Sequence, residues 1–484
     1  MRLVAPDAEP TTGVLLRGVF AAGTALLAGA VVLVALRAVL GAGGGDLWSF
    51  WAAGRALDRG LDPYNLHVLL LTPTPSDVGR APFLSPPFLA EAMRLLGLLP
   101  FRLAYAVWAA VSLLCGVAAA AALLHVARIP STAANLCCAA VVGVLYAPLM
   151  RTIALGQTDL LVVACLAGSW WLRMRARPFT AGLLACGSLV DPHLAAAFLL
   201  YYGYLGVFRR QRHLLGGVLV GLAATVACSA MHPAYAVEWL RVVLPRAQTD
   251  VLGMANQVTT LRLLRAVLPQ APALAVALAG ILDAGALALA CTTWSRQSEA
   301  WDRGMAVAAA LALLTASFAY LPDYLLLFLA APAAVNLWRG RAQWRPWAPL
   351  VLGCLGVTYA AIDAMLLTTA RSVALPVAVG PLVVAVVLAI RAIAAGWEPR
   401  SDGVVDARGR RVWMWAAVLW LGATVAVSAV AADSHQTVAA AAVALTGTAG
   451  AMAGLWWATG ERPAPAMEGD RQGPGDGAMD SSAL

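Results

Sequence analysis

Six stretches of this 484-residue chain hold polar residues whose types and spacing can do chemistry. The first is GGGDLWSFWAAGRALDRGLDPYN (43–65), where a glycine break is followed at once by Asp46 and three aromatics. At about 100° per residue, Asp46 shares a helical face with Ser49, Ala53 and Leu57, while Arg55 points the opposite way. Asp46 therefore has no local cation. It reads either as a cap after the break at Gly43 to Gly45 or as a carboxylate facing the protein interior. Arg55 and Asp58 are spaced for an i,i+3 pair, and Trp48, Phe50 and Trp51 suit a helix lying at a membrane interface. The second stretch, FLSPPFLAEAMRLLGLLPFRLAYAVW (83–108), is amphipathic, stiffened by Pro86-Pro87 and stopped by Pro100, with Glu91 and Arg94 as a local pair. In the third, RTIALGQTDLL (151–161), the Gln157 amide can hydrogen-bond a sugar hydroxyl or a phosphate, with Thr158 and Asp159 readable as caps. The fourth is Asp191-Pro192-His193. Polar side chains at membrane depth are costly and point to function, although His193 also reads as a satisfied structural histidine. The fifth, 231–265, carries His232, Glu238, Arg241, Arg246, Asn256, Gln257, Arg262 and Arg265. Arginine's planar donor fork suits a phosphate, and a plain amphipathic helix at the headgroups accounts for some of these residues equally well. The sixth is Asp323 in ASFAYLPDYLLLF (316–328), a one-turn break between apolar runs. An acid there needs a partner, and an outer-loop arginine is the expected one.

The elements that must position these residues are membrane helices. The chain is 61% hydrophobic and 12% charged, against about 25% charged in soluble proteins. Apolar runs near 15–40, 103–127, 132–150, 156–173, 213–230, 270–293, 304–320, 322–338, 346–368, 373–391, 412–432 and 437–458 are long enough to span hydrocarbon. The expected fold class is an all-α polytopic integral membrane protein with roughly 11–14 transmembrane or re-entrant helices. The first run is too long for the apolar core of a cleavable signal.

Arginine clusters at Arg173/Arg175/Arg177, Arg209/Arg210/Arg212, Arg339/Arg341/Arg345 and Arg408/Arg410/Arg411 are expected in the cytoplasm. Two of them bracket 178–208, so the chain must enter and leave the membrane there, as a hairpin broken at Asp191-Pro192-His193. Both termini then fall in the cytoplasm of a multi-pass cell-membrane protein. A first outer loop (41–102) and a second (231–269) share the opposite side. One transmembrane unit over 1–458 is expected, followed by a disordered cytoplasmic tail, 459–484, rich in Gly, Pro, Asp and Ser.

The net charge of +8 comes without lysine and reflects cytoplasmic loops rather than nucleic-acid binding. The eight cysteines lie within apolar runs, lack CxxC spacing and are expected to be buried. No Gly-rich phosphate loop, metal-ligand cluster, Ser/His/Asp motif or DxD pair is present, so no cofactor or metal is expected and nucleotide-sugar chemistry is not supported.

The series D-L-W-x-F-W-A-A-G-R-A-L-x-x-G-x-x-x-Y (46–64), SPPFLAEAMRLLGLLP, AYAVW, GQTDLLVVACL, DPHLAAAFLL, Asn256-Gln257 and YLPDYLLL (320–327) resembles, in that order, glycosyltransferase family 87. The resemblance implies a C-type glycosyltransferase architecture. It also implies metal-independent, inverting transfer of a hexose, mannose or a related sugar, from a polyprenyl-phosphate donor to a cell-envelope glycolipid or glycan on the outer face. Asp46 would be the catalytic base. Arginines of 231–265, with Arg241, Arg246 and Arg262 foremost, would stabilise the phosphate. Gln157, Asp191, His193, Asn256, Gln257 and Asp323 would complete the donor and acceptor sites. Where the family often has lysine before the hairpin proline, this chain has Asp191, which reverses a charge near the donor. The competing readings are a transporter or flippase, with Asp46, Asp191 and Asp323 on an ion path, or an inactive relative. Transporters commonly carry internal repeats, and none is seen.

Overall fold

Glycines and prolines punctuate this chain, and they set where its helices begin. The computed structural model describes residues 44–72, 78, 80–133, 135–136, 139, 147–243, 259–296, 301–316 and 321–339, and among these all regular structure is helical. The expected all-α class therefore holds. The expected spans before residue 44 and beyond residue 339, and the tail 459–484, lie outside the described residues.

Helix α1 (Gly45–Asp58) follows Gly44, whose φ of 82° is left-handed and costs glycine nothing. A short α2 (Leu66–Leu70) starts where the Asn65 side chain accepts from the His67 amide at 3.0 Å. In α3 (Pro87–Gly97), Pro87 occupies the first turn, where its missing N–H is no loss. Leu89, Ala90, Met93 and Gly97 form its buried face at three-to-four spacing. That face lies on α1 so closely that a Cβ on Gly54 would sit 2.5 Å from the Met93 carbonyl oxygen.

Pro100 then opens α4 (Phe101–Val126). It is followed by α5 (Ala147–Leu155), α6 (Asp159–Met174), α7 (Pro178–Ala185), α8 (Pro192–Val207) and α9 (Arg212–Ser229). Arg128, Ala176 and Arg210 adopt left-handed φ of 54–56° just past α4, α6 and α8, the usual way to close a helix. Beyond α9 come α10 (Pro233–Glu238), a π turn (Trp239–Val243), α11 (Thr260–Val267), α12 (Pro272–Arg296) and α13 (Trp301–Thr315). A 3-10 segment (Leu321–Ala330) and α14 (Ala331–Arg339) follow.

Three expected spans reappear as α4, α9 and α12, the described helices long and apolar enough to cross a membrane. Between 17% and 28% of their apolar windows is buried, so most of each surface is left for lipid. Two expectations change. The stretch 151–155, left between the expected spans 132–150 and 156–173, continues α5, and the run 322–338 divides into the 3-10 segment and α14.

The expected hairpin is present as α7, a 3-10 turn (Cys186–Val190) and α8, broken at Asp191. It is braced by α9 at backbone distance. A Cβ on Gly217 would come within 2.0 Å of the Phe179 carbonyl oxygen, and one on Gly182 within 2.3 Å of that of Leu214. Close approach through small residues is how helices associate where lipid removes the hydrophobic drive.

The aromatics of α1 do not lie at an interface. Trp48 and Trp51 are 0% and 2% exposed; the Trp51 indole donates to the Leu99 carbonyl at 3.0 Å and meets Phe101 edge-on at 5.4 Å. They are core because α3 and the start of α4 cover them. The cysteine expectation also changes: Cys165 and Cys186 are buried and Cys115 partly so, but Cys228 and Cys291 are exposed. Both lie on the lipid-length helices α9 and α12, where a small apolar residue needs no protein cover.

Candidate active site

The first turn of α1 is held against the turn between α5 and α6. The Gly44 amide donates to the Ala154 carbonyl at 2.7 Å. From α4, the Tyr105 hydroxyl donates to the carbonyls of Ile153 and Ala154 at 3.1 and 3.0 Å, and the Trp108 indole to that of Gln157 at 3.4 Å. Gly156, at φ 73°, lies so near α1 that a Cβ there would be 2.6 Å from the Leu47 Cβ. These contacts deliver Gln157 under α1, where its Nε2 donates to Asp46 Oδ2 at 2.7 Å. Gln157 Oε1, also buried, has no hydrogen-bond partner among the described residues, a condition that costs about 1–3 kcal/mol.

Asp46 is not a cap. Gly44 holds the cap position, with no side-chain cap bond, and Asp46 sits in the first turn. A helix N-terminus favours a carboxylate there, yet desolvation wins. Asp46 keeps some exposed surface, but the atoms crowding its carboxyl push its pKa up to about 6. The Gln157 hydrogen bond and the charge of Arg151 pull it down, and Asp323 and Asp191 push it further up. At neutral pH the group is ionised and roughly two units more basic than a solvated carboxylate, the direction in which a general base is tuned.

Near Asp46 lies a second polar group drawn from four elements. The Thr158 hydroxyl donates to the Asp191 carboxylate, tying the α6 start to the hairpin tip. The Thr152 hydroxyl donates to Asp159 Oδ2 at 3.3 Å, and His193 Nε2 lies 3.6 Å from Asp323 Oδ2. Asp159 also sits within charge range of Asp191 and Asp323. Thr152, Thr158, Asp159 and Asp323 are buried, whereas Asp46, Asp191 and His193 each keep some exposed surface.

The structure thus brings together Asp46, Gln157, Asp191, His193 and Asp323 of the expected site. Asp323 meets His193 and Asp159, and Asp191 meets a threonine hydroxyl. Arg241 is exposed on the π turn and makes no described contact with the carboxylates. Arg246, Asn256 and Gln257 lie outside the described residues. Arg262 falls in α11, but its side chain lies outside them too. Two residues were missed as members of this site: Asp159, 3% exposed and read as a cap, and Thr152. The rule that an acid beginning an apolar run is costly would have found Asp159.

The two segments expected as outer loops, 41–102 and 231–269, meet each other. Glu91 Oε1 and His232 Nε2 are 2.5 Å apart, and the Trp239 indole donates to the Leu84 carbonyl at 2.9 Å. The expected pair of Arg94 with Glu91 is present at 3.3 Å. The expected pair of Arg55 with Asp58 is replaced: Asp58 binds Arg94 at 3.2 Å, and Arg55 lies 4.9 Å over the Trp51 ring. A local i,i+3 pair is worth only a few tenths of a kcal/mol, too little to outcompete those partners.

Residues 83–318 match the family model of glycosyltransferase family 87. No curated protein and no solved structure matches the chain. The matched segment runs from the start of the second motif stretch through α13 and contains Gln157, Asp159, Asp191 and His193. Asp46 precedes it and is joined to it by the Gln157 hydrogen bond.

Proposed function

We propose that this chain, whose residues 83–318 match the model of glycosyltransferase family 87, is a membrane glycosyltransferase that moves a hexose, mannose in our reading, from a polyprenyl-phosphate donor. The acceptor is a cell-envelope glycolipid or glycan on the outer face. The single observation that carries the reading is the Asp46 carboxylate held by Gln157 at 2.7 Å, partly exposed and more basic than usual. Asp46 removes the proton of an acceptor hydroxyl as the acceptor oxygen attacks the anomeric carbon from the face opposite the phosphate. The bond to polyprenyl phosphate breaks as the new bond forms, so the anomeric configuration inverts. Positioned base catalysis contributes about 10²–10⁴-fold.

Charge then collects on the departing phosphate. Arg151, close enough to bias Asp46, is one cation for it, and the arginines of the second outer loop are others. Asp191 is turned toward Thr158, so its position where the family often has lysine places a hydrogen-bonding brace, rather than a phosphate ligand, at the hairpin tip.

The enclosed acids Asp159, Asp191 and Asp323, with His193, are also what a proton-coupled carrier would use, and one assay separates the readings. Membranes containing the protein are given labelled polyprenyl-phosphate mannose and native lipid extract. A transferase moves label into a new glycosidic product, and the Asp46→Asn variant does not. Movement of intact labelled donor across the bilayer without a new product would overturn the transferase reading.

A further inference from the structure

Gln157 meets Asp46 with the amino side of its amide, Nε2 to Oδ2 at 2.7 Å, while its Oε1 is buried and accepts nothing from the described residues. One planar group thus offers a donor and an acceptor. A half-turn about the last side-chain bond exchanges which of them faces the carboxyl. The backbone need not move, because the Gln157 amide and carbonyl are fixed separately by the Thr152 carbonyl at 2.9 Å and the Trp108 indole at 3.4 Å.

We propose that Gln157 is the positioning residue for Asp46 in both of its protonation states. Its amino group holds the ionised base, and after transfer its carbonyl accepts the hydrogen bond of the newly protonated carboxyl. This rests on the reading of Asp46 as the base. In the chemical step the acceptor O–H proton passes to an Asp46 carboxyl oxygen, and the acceptor oxygen's electron pair forms the bond to the anomeric carbon. The carbon–oxygen bond to the donor breaks, its electron pair leaving with polyprenyl phosphate.

When the proton is on Oδ2, Asp46 is a neutral acid whose O–H faces the N–H of Gln157, donor against donor. The half-turn removes that conflict and gives Oε1 the partner it lacks. It also directs the proton away from the new product until solvent takes it, when the turn reverses. Other groups facing Asp46 bias the cycle without replacing the amide. Arg151 on α5 favours the ionised form, while Asp323 on the 3-10 segment and Asp191 at the hairpin tip favour the neutral one. Ser49 on α1 donates at 2.7 Å to the Asp46 backbone carbonyl, not to its carboxyl.

The test uses the purified full chain in detergent. Infrared difference spectra are recorded during acid titration, with Asp46→Asn identifying the Asp46 carboxyl band, and kcat/KM is followed against pH. In Gln157→Leu the Asp46 band titrates at higher pH than in wild type, the acidic limb of the rate profile moves with it, and kcat/KM falls about 10–100-fold. Gln157→Glu, whose protonated carboxyl can both donate and accept, regains activity as pH falls, whereas the leucine variant loses it. Melting curves establish that each variant is folded, and the infrared reading needs no turnover. An Asp46 band at the wild-type position in Gln157→Leu overturns the proposal, and so does a glutamate variant that behaves like leucine. If Asp46→Asn itself keeps full turnover, the base reading falls instead, and the titration still reports whether the amide governs the carboxyl.

Discussion

Asp46 combines two demands that oppose each other: a base must be ionised, and a crowded carboxyl resists ionisation. In the folded protein its pKa lies near 6, above the ordinary 3.8, chiefly through burial. The folded state therefore binds the extra proton between those values, and the contribution of Asp46 to stability is greatest below about pH 4 and falls as pH rises toward 6. Asp46→Asn removes this titration while keeping an acceptor for Gln157. We expect it to lose transfer by about 10²–10⁴-fold and to melt higher than wild type at about pH 7.5, with the gap closing near pH 4. Equal melting at both pH values would mean that the carboxyl is not strained in the fold. A second expectation is an acidic limb near pH 6 in wild-type kcat/KM, checked by initial rates across pH. A limb near 4 would place the working base in water. The sequence made Asp46 visible through its position at a span mouth with no local cation. It did not make Gln157 visible as its partner, because 111 residues separate them and no helical periodicity reaches that far.

At the scale of elements, long apolar runs were legible because 18 or more apolar residues allow little besides a spanning helix. Hence α4, α9 and α12 fell within a few residues of expectation. The tight 3-10 segment at Leu321–Ala330 was not legible, since three- and four-residue spacing cannot be told apart in a run of leucines. Nor did the sequence reveal which glycines mark contacts. Gly54 and Gly217 do so, facing the backbones of α3 and α7. We expect Gly54→Ala and Gly217→Ala each to destabilise by about 1–3 kcal/mol through overpacking, read as lower melting temperatures in detergent. Wild-type melting in Gly217→Ala would show that α7 and α9 are looser than drawn. The hairpin tip supplies another test. Asp191→Lys removes the acceptor of the Thr158 hydroxyl and brings a cation among buried neighbours, so it should lower the melting temperature. A stable variant with tighter donor binding would return Asp191 to the phosphate site.

For the whole molecule, the decisive question is which side of the membrane holds the site. The arginine clusters predict that a cysteine at position 62 is labelled by a membrane-impermeant maleimide on intact cells, and that one at 175 is labelled only after permeabilisation. The reverse pattern would put Asp46 in the cytoplasm and remove the lipid-phosphate donor from consideration. Exposed Cys228 and Cys291 should stay unlabelled in both conditions, because lipid rather than water covers α9 and α12. The join between the outer loops has a further bearing, on synthesis. Leu84 waits for Trp239, 155 residues later, and Glu91 for His232, 141 residues later. A ribosome that has released the first loop must therefore make and insert α4 to α9 before that loop can close. Until then the Leu84 carbonyl and the Glu91 carboxylate lack these partners, and a chain arrested before residue 232 is expected to be cleaved sooner by quality-control proteases than the full chain.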